Sequence, residues 1–284
     1  MKKISLSAVL LVFVVFGLLL TINSCQREDE IIEPIQEQEE VLINFGCIPT
    51  PAEIYEKIPR VQVSGALKTL PVSVDLDCPV VGNQGGEGSC VAWGTTYAAR
   101  SISWHDSNGG VYSFSTNIFS PEYVYNQIKA TDDCGSGAYT VTGLNLLKNQ
   151  GVCVWSDMPY TDEMCSLYPN DYQAQQAINY TISDYQVVPI VLDDFKAQLA
   201  LGKPIVVAGP VYNGFYNLGV NDVMTVARGK SYGGHCYCVV GYDDDLNAFK
   251  VLNSWGTTWG TAGYGWISYS IMSKVWSEAY VVFE

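Results

Sequence analysis

The sequence predicts an α+β protein with two lobes and a cleft between them. Helical periodicity is concentrated at about residues 85–180, whereas residues from about 181 to 284 contain short β-rich runs separated by Gly, Asn and Asp turns. We expect the second lobe to be antiparallel and barrel-like. The 284 residues are 48% hydrophobic and 12% aromatic, which is enough for a substantial core. A groove between two such lobes is a natural ligand site.

Three segments of the first lobe are predicted to be helical. The stretch CVAWGTTYAARSISW has apolar residues near helical spacing and few breakers, so a helix should begin at or just before Cys90. The stretch SPEYVYNQIK has Ser120 as its N-cap and Pro121 at its first position, and VTGLNLLKNQG ends at Gly151. Cys90 should therefore lie in the first turn of a helix.

The second lobe is predicted to contain one more short helix and a series of strands. The helix is DDFKAQLALG, which stops before Gly202. The predicted strands are KPIVVAGPV, HCYCVVGYD, AFKVLNSWG, YGWISY and, at the end, WSEAYVVF. Turn residues between these runs favour antiparallel neighbours.

The charge balance excludes one class of partner. Fifteen basic residues against 29 acidic ones give a formal net charge of −14, which repels phosphate backbones. We therefore expect no nucleic-acid partner.

The first 24 residues are typical of a targeting segment. Lys2 and Lys3 precede an apolar run from Ala8 to Leu20, and Ser24 lies directly before Cys25. The run is short for a membrane span but suits a secretory signal. It resembles a bacterial lipoprotein signal peptide, with Cys25 as the lipidated residue, which implies a protein of the cell envelope anchored to the outer membrane.

Two alternatives accompany this interpretation: the protein could instead be secreted or periplasmic.

Residues 25–69 are predicted to be an acidic tether with a short N-terminal segment, because QREDEIIEPIQEQEEV is acidic and lacks aromatics. An acidic run after a lipidated cysteine resembles an outer-surface export signal, and a plain spacer is the other interpretation.

The chain contains only two histidines, which limits any imidazole-based chemistry to His105 and His235. His235 follows two glycines that let the backbone pass close to a ligand, and it opens a predicted strand. Asn253 follows the next predicted strand. Four separated motifs occur in one order: Gln84, Gly88-Ser89-Cys90, Gly234-His235, and Asn253-Ser254-Trp255-Gly256 with Trp259-Gly260.

These motifs resemble those of the papain-like cysteine peptidases, over roughly residues 70–284. The separation of His235 from Cys90 lies within the family's range of about 130 to 150 residues, and Asn253 falls slightly beyond it. The resemblance implies a two-lobed peptidase domain that hydrolyses peptide bonds without a cofactor or metal. It implies a peptide or protein substrate, and we expect a monomer.

The resemblance also implies a role for each catalytic residue. Cys90 would be the nucleophile, because a helix N-terminus and an imidazolium partner stabilise a thiolate. His235 would be that partner, Asn253 would orient its ring, and Trp255 would shield their bond from water. Gln84 and the Cys90 backbone N–H would form the oxyanion hole.

A second group of residues is expected to bind substrate. Its members are Gly135, Gly137, Gly234, Trp255 and Trp259. By the same resemblance Cys134 and Cys165 could form a disulfide. Cys236 and Cys238 are expected to be buried, since the complementary ligands of a zinc site are absent from the sequence around them.

The sequence departs from the family at two positions near the nucleophile. Glu87 stands where the family has a cysteine, and Val91 stands where it has an aromatic residue. We expect Glu87 to face solvent, the alternative being that it tunes cation preference at the substrate. Trp93 would supply the missing aromatic packing.

Two functional alternatives and one question of activation remain open at the level of sequence. The chain could be a catalytically silent peptide-binding relative, or an acyltransferase that uses the same acyl-enzyme. The segment before Leu70 lacks the long helical propeptide of the family's zymogens. Either no foldable propeptide exists, or the segment around PTPAEIYEKIPRVQV covers the cleft in another way.

Overall fold

The computed structural model describes residues 45–62 and 69–284. The α-helices are α1 (Ala52–Tyr55), α2 (Cys90–Ala92), α3 (Ser101–Asn108), α4 (Pro121–Ile128), α5 (Thr140–Asn149), α6 (Asp171–Ala177), α7 (Leu192–Ala200), α8 (Asn213–Tyr216) and α9 (Met272–Val275). A π-helix (Trp93–Arg100) joins α2 to α3, and 3₁₀ turns lie at Ile178–Tyr180 and Tyr269–Ile271. The predicted signal peptide, Cys25 and the acidic run fall outside the described residues.

The described residues form ten strands, of which the sequence predicted five. They are β1 (Cys47–Ile48), β2 (Ser73–Asp75), β3 (Ala138–Tyr139), β4 (Asp184–Val187), β5 (Ile205–Pro210), β6 (Val223–Met224), β7 (Gly234–Asp243), β8 (Ala248–Leu252), β9 (Tyr264–Ser268) and β10 (Glu278–Phe283). None of the described helices is long and apolar enough to cross a membrane.

The predicted helices of the first lobe are present, and local chemistry explains their ends. The side chain of Ser120 accepts a hydrogen bond from the backbone N–H of Tyr123 at 3.1 Å, and Pro121 occupies the first position of α4. Gly151 adopts φ +80° just after α5. The predicted helix from Cys90 does begin at that residue, but its middle is a π-helix, which the apolar spacing did not indicate.

The second lobe is built on an eight-stranded sheet in the order β4-β10-β5-β7-β8-β9-β6, with β2 paired to β7. The two-lobed α+β prediction is confirmed, and the sheet of the barrel-like lobe does not close on itself. Within residues 69–284 the sheet is open, because β4 pairs only with β10 at one edge and the two-residue β6 pairs only with β9 at the other.

Two contacts fix the helical lobe against the sheet. Gly94 lies so close to β7 that a Cβ there would be 2.9 Å from the Sγ atom of Cys236. Arg100 is fully buried, and its Nη1 atom lies 2.6 Å from Oε1 of Glu284. The Arg100 guanidinium also covers the rings of Trp104 and Phe119. The helix that begins at Cys90 is therefore held in one position relative to β7.

Residues 45–62 pack against the rest of the protein. Strand β1 runs parallel to β3, with Cys47 opposite Ala138. Farther along, the backbone N–H of Val61 donates to the carbonyl of Val187 at 2.9 Å. This stretch was predicted to belong to the segment that precedes the domain, and its first residues reach the site described next.

Candidate active site

The imidazole of His235 is held by Asn253. His235 is the second residue of β7 and Asn253 follows β8, and the pairing of these strands places Cys238 opposite Leu252. The Nε2 atom of His235 lies 2.8 Å from Oδ1 of Asn253, and the backbone N–H of Ser254 donates to the same oxygen at 2.8 Å. Because Oδ1 is an acceptor, Nε2 carries the proton. The Nδ1 atom is buried and has no hydrogen-bond partner among the described residues.

Aromatic rings enclose this imidazole. Trp255 stacks on it with ring centroids 4.6 Å apart, and Phe215 meets it edge-on at 6.0 Å. Burial is the main reason that the pKa of His235 is lowered to about 4, against the opposing effects of Asn253 and the backbone of Phe45. The ring is therefore neutral at pH 7 in this structure.

Cys90 is the first residue of α2 and is completely buried. Its thiol lies against the backbone of Cys236, the residue that follows His235. Burial, and then the neighbouring thiol of Cys47, raise the pKa of Cys90 well above its usual range. The Cys90 thiol thus lies beside the residue that follows His235, and both side chains are uncharged in this structure.

Gln84 is oriented by three hydrogen bonds. Its Nε2 atom donates to the backbone carbonyl of Glu87 at 3.0 Å, and its Oε1 atom accepts from the hydroxyl of Ser254 at 2.7 Å. Its backbone N–H donates to the carbonyl of Ser254 at 2.8 Å. Ser254 was noticed in the sequence only as part of a motif, yet it fixes which way the Gln84 amide points.

Glu87 is buried at 1% exposure, so the expectation that it faces solvent is wrong. Its Oε2 atom accepts a hydrogen bond from the hydroxyl of Tyr160 at 3.2 Å, while Oε1 has no partner among the described residues. Burial, followed by the nearby Glu122 carboxyl, raises the pKa of Glu87 to about 7. Glu87, three positions before Cys90, is buried because the chain folds inward there and packs against Tyr160.

Residues 45–47 lie across this site. The ring of Phe45 stacks on Trp255 at 5.0 Å and lies 5.6 Å from the ring of His235. The carbonyl of Gly46 accepts from the backbone N–H of Ala138 at 2.8 Å. The segment therefore lies in the cleft, against His235 and Trp255.

Two of the glycines predicted to bind substrate contact this segment. A Cβ at Gly137 would lie 2.3 Å from the carbonyl oxygen of Gly46, and a Cβ at Gly234 would lie 2.1 Å from that of Cys47. Only glycine allows the backbones to approach so closely. The carbonyl of Gly135 instead faces Gly88.

The remaining predicted residues are buried in the interior or form a disulfide. Trp259 is buried behind Trp255 and donates its indole N–H to the carbonyl of Phe215 at 2.9 Å. The Cys134–Cys165 disulfide is present, which confirms that pairing. Cys236 and Cys238 are buried free thiols, as expected. Trp93 packs against Tyr97 and Tyr160.

Comparison with known proteins gives consistent matches. The sequence pattern of the family described as papain family cysteine protease matches residues 72–283. A peptidase C1-like protein of Acanthamoeba polyphaga mimivirus is 29% identical over 196 residues, which cover 64% of this chain and 62% of that protein. The chain thus spans about three fifths of the length of the curated relatives that it matches first.

Solved structures agree with this match. Xylellain, a cysteine protease from Xylella fastidiosa, is 29% identical with a TM-score of 0.73, over 84% of this chain and 96% of that one. The cysteine protease CMS1MS2 of Carica candamarcensis, solved in complex with E-64, shares the fold at 20% identity and a TM-score of 0.61, over 76% of this chain and 99% of that one.

Proposed function

The chain belongs to the papain family of cysteine proteases, and from this premise we propose that it hydrolyses peptide bonds with Cys90 as nucleophile and His235 as base and acid. The observation that carries the proposal is the hydrogen bond of 2.8 Å between His235 Nε2 and Asn253 Oδ1. It leaves Nδ1 as the unprotonated nitrogen, which is the one that can accept a proton from a thiol.

The reaction follows from these positions. Nδ1 of His235 takes the thiol proton, and the Cys90 thiolate attacks the peptide carbonyl. The Nε2 atom of Gln84 and the backbone N–H of Cys90 donate to the oxygen as it becomes negative, and each such donor is worth about 3 kcal/mol in comparable sites. His235 then protonates the leaving amine, and water hydrolyses the acyl-enzyme with His235 again as base.

The covered cleft corresponds to a latent form of this enzyme. Phe45, Gly46 and Cys47 exclude water from the site, and burial opposes both the imidazolium and the thiolate. When the segment leaves, hydration should raise the pKa of His235 and lower that of Cys90, which favours the ion pair. The segment also blocks the place where a peptide must bind.

Export to the cell envelope with a lipid anchor at Cys25 is part of the same proposal. It is supported by the sequence of the first 25 residues, Lys2 and Lys3 followed by the apolar run to Leu20. Replacing Cys25 with Ser should move the protein from the membrane fraction to the soluble fraction. A Cys25→Ser protein that stayed with the membrane would contradict lipidation at this residue.

The activity is tested by labelling the full chain and the Gly46→Val protein, in which a clash with the Gly88 carbonyl displaces the covering segment, with E-64 under reducing conditions and mapping the modified peptide by mass spectrometry. The Carica candamarcensis protease was solved with this compound bound. We expect a single adduct on Cys90, its loss in His235→Ala, and no peptide hydrolysis by Cys90→Ala. Hydrolysis by a folded Cys90→Ala protein would refute the assignment, and labelling without hydrolysis would favour transfer or peptide binding.

A further inference from the structure

The hydroxyl of Tyr160 lies between three polar groups next to the predicted oxyanion hole. Its oxygen is 2.7 Å from the carbonyl oxygen of Gln84, 3.2 Å from Oε2 of Glu87 and 2.7 Å from Oγ of Ser89. A phenol has one proton to donate, so Tyr160 cannot serve the Gln84 carbonyl and the Glu87 carboxyl equally. The protonation state of Glu87 therefore decides which of the two receives this proton.

With Glu87 protonated, every group of this set has a partner. The carboxyl proton and the Ser89 hydroxyl can both be donated to the Tyr160 oxygen, and the Tyr160 proton goes to the Gln84 carbonyl, which is the closer acceptor. In the described part of the chain no other hydrogen bond reaches that carbonyl. Tyr160 and Ser254 then each hold one polar group of the Gln84 backbone.

Ionisation of Glu87 changes this arrangement. A carboxylate only accepts hydrogen bonds, and it accepts them more strongly than a neutral carbonyl does. The Tyr160 proton should therefore turn to Oε2 of Glu87, which leaves the Gln84 carbonyl without its donor. Because Nε2 of Gln84 also donates to the backbone carbonyl of Glu87 at 3.0 Å, a shift of either backbone moves the amide that must stabilise the oxyanion.

The surroundings of Glu87 place its change of charge near neutral pH. The titratable side chains that face it are Glu122 and Tyr125 of α4 and Tyr160 and Asp162 of the loop between α5 and α6. Burial, followed by the Glu122 carboxyl, raises the pKa of Glu87 to about 7, and Asp162 adds to this effect, while the Tyr160 hydroxyl opposes it. Among the described residues no Lys, Arg or His forms an ion pair with Glu87.

We propose that Glu87 is a positioning residue for the oxyanion hole: protonated, it leaves the Tyr160 hydroxyl on the Gln84 carbonyl, and ionised, it draws that hydroxyl away. This inference rests on the proposed peptidase activity. Glu87 acts on a donor to the substrate oxygen, whereas His235 acts on the Cys90 thiol. Hydrolysis should therefore weaken as pH rises past neutral even where Cys90 still reacts as a thiolate.

The test compares two reactions of Cys90, in the full chain and in the Gly46→Val protein, whose cleft should be open. Peptide hydrolysis needs the oxyanion hole, whereas alkylation by iodoacetamide takes place at a methylene carbon and creates no oxyanion. We expect kcat to fall up to about tenfold between pH 6 and pH 8, because one unit above a pKa of about 7 only about a tenth of Glu87 is protonated. Alkylation of Cys90, followed by peptide mapping, should not slow over this range, and KM should change little.

Two substitutions assign the effect to these residues. Glu87→Gln keeps the shape of the side chain and carries an amide that can donate to Tyr160 at every pH, so the fall in kcat should disappear while kcat at pH 6 stays near that of the parent protein. Tyr160→Phe should have a low kcat already at pH 6 and no such fall. Glu163→Gln, at an exposed position, is the matched control and should keep the parent profile. Mass spectrometry checks that the adjacent Cys134–Cys165 disulfide stays closed in the assay reductant.

The outcomes separate the inference from the activity beneath it. A constant kcat from pH 6 to pH 8 overturns the role of Glu87, and so does a parallel fall in hydrolysis and alkylation, which assigns the pH dependence to Cys90 and His235. Neither comparison needs a variant at Glu87. A fall in kcat that persists in Glu87→Gln also overturns the inference. Absence of hydrolysis by a folded Gly46→Val protein overturns the proposed function, and the inference with it.

Discussion

The buried carboxyl of Glu87 should make the stability of the protein fall as pH rises. Its pKa is about 7 in the folded protein, against an ordinary value of 4.5. Between these values the folded state binds more protons than the unfolded state, so the free energy of unfolding decreases with increasing pH. The difference of about 2.5 pKa units corresponds to about 3 kcal/mol, and the full cost is reached above pH 7.

Replacing Glu87 with Gln removes the ionisation and keeps the shape of the side chain. We expect similar stability of the two proteins at about pH 3.5, one unit below the ordinary pKa of 4.5, where Glu87 is mostly protonated in both states, and an advantage of about 3 kcal/mol for Glu87→Gln at pH 8. Urea unfolding at the two pH values, without reductant, measures this difference. Glu163→Gln, at an exposed position, should show no such change, and a Glu87→Gln advantage that is independent of pH would refute the reasoning.

Three further substitutions test the candidate site, the segment of residues 45–47 that covers it, and the disulfide. Ser254→Ala removes the hydroxyl that orients the Gln84 amide, so kcat should fall about tenfold with little change in KM; an unchanged kcat would contradict this role. A Cβ at Gly46 would lie 1.9 Å from the Gly88 carbonyl oxygen, so Gly46→Val should displace residues 45–47 from the cleft. E-64 should then label the full chain faster, and slower labelling would argue against a blocking segment. Cys134→Ser opens a disulfide that spans 31 residues and should cost about 3 kcal/mol in urea unfolding, whereas an unchanged midpoint would mean that the disulfide adds nothing.

Local sequence was sufficient to predict the elements that carry the site. Ser120 and Pro121 define a helix start through capping chemistry that depends on neighbouring residues alone. The position of Cys90 at a helix start and of His235 near a strand start follows in the same way. The roles of these residues came from the order of the motifs and remain predictions for the assays above.

The features that were missed depend on contacts between distant parts of the chain. Glu87 is buried because Tyr160 lies against it, and no local pattern distinguishes such a carboxyl from an exposed one. The path of Phe45 through the cleft depends on His235 and Trp255, far along the sequence. The pairing of Thr50 with Glu278 joins the two ends of the described chain.

Gly94 has a consequence for the chemistry although it touches no substrate. It is the point where the helix that bears the thiol meets the strand that bears the imidazole, and the approach is limited only by backbone and by the sulfur of Cys236. The spacing of the two elements, and with it the proton transfer proposed between Cys90 and His235, therefore depends on the absence of a side chain at Gly94. A single methyl group there would push the helix away from the strand, and the separation of Cys90 and His235 would change although neither residue had been replaced.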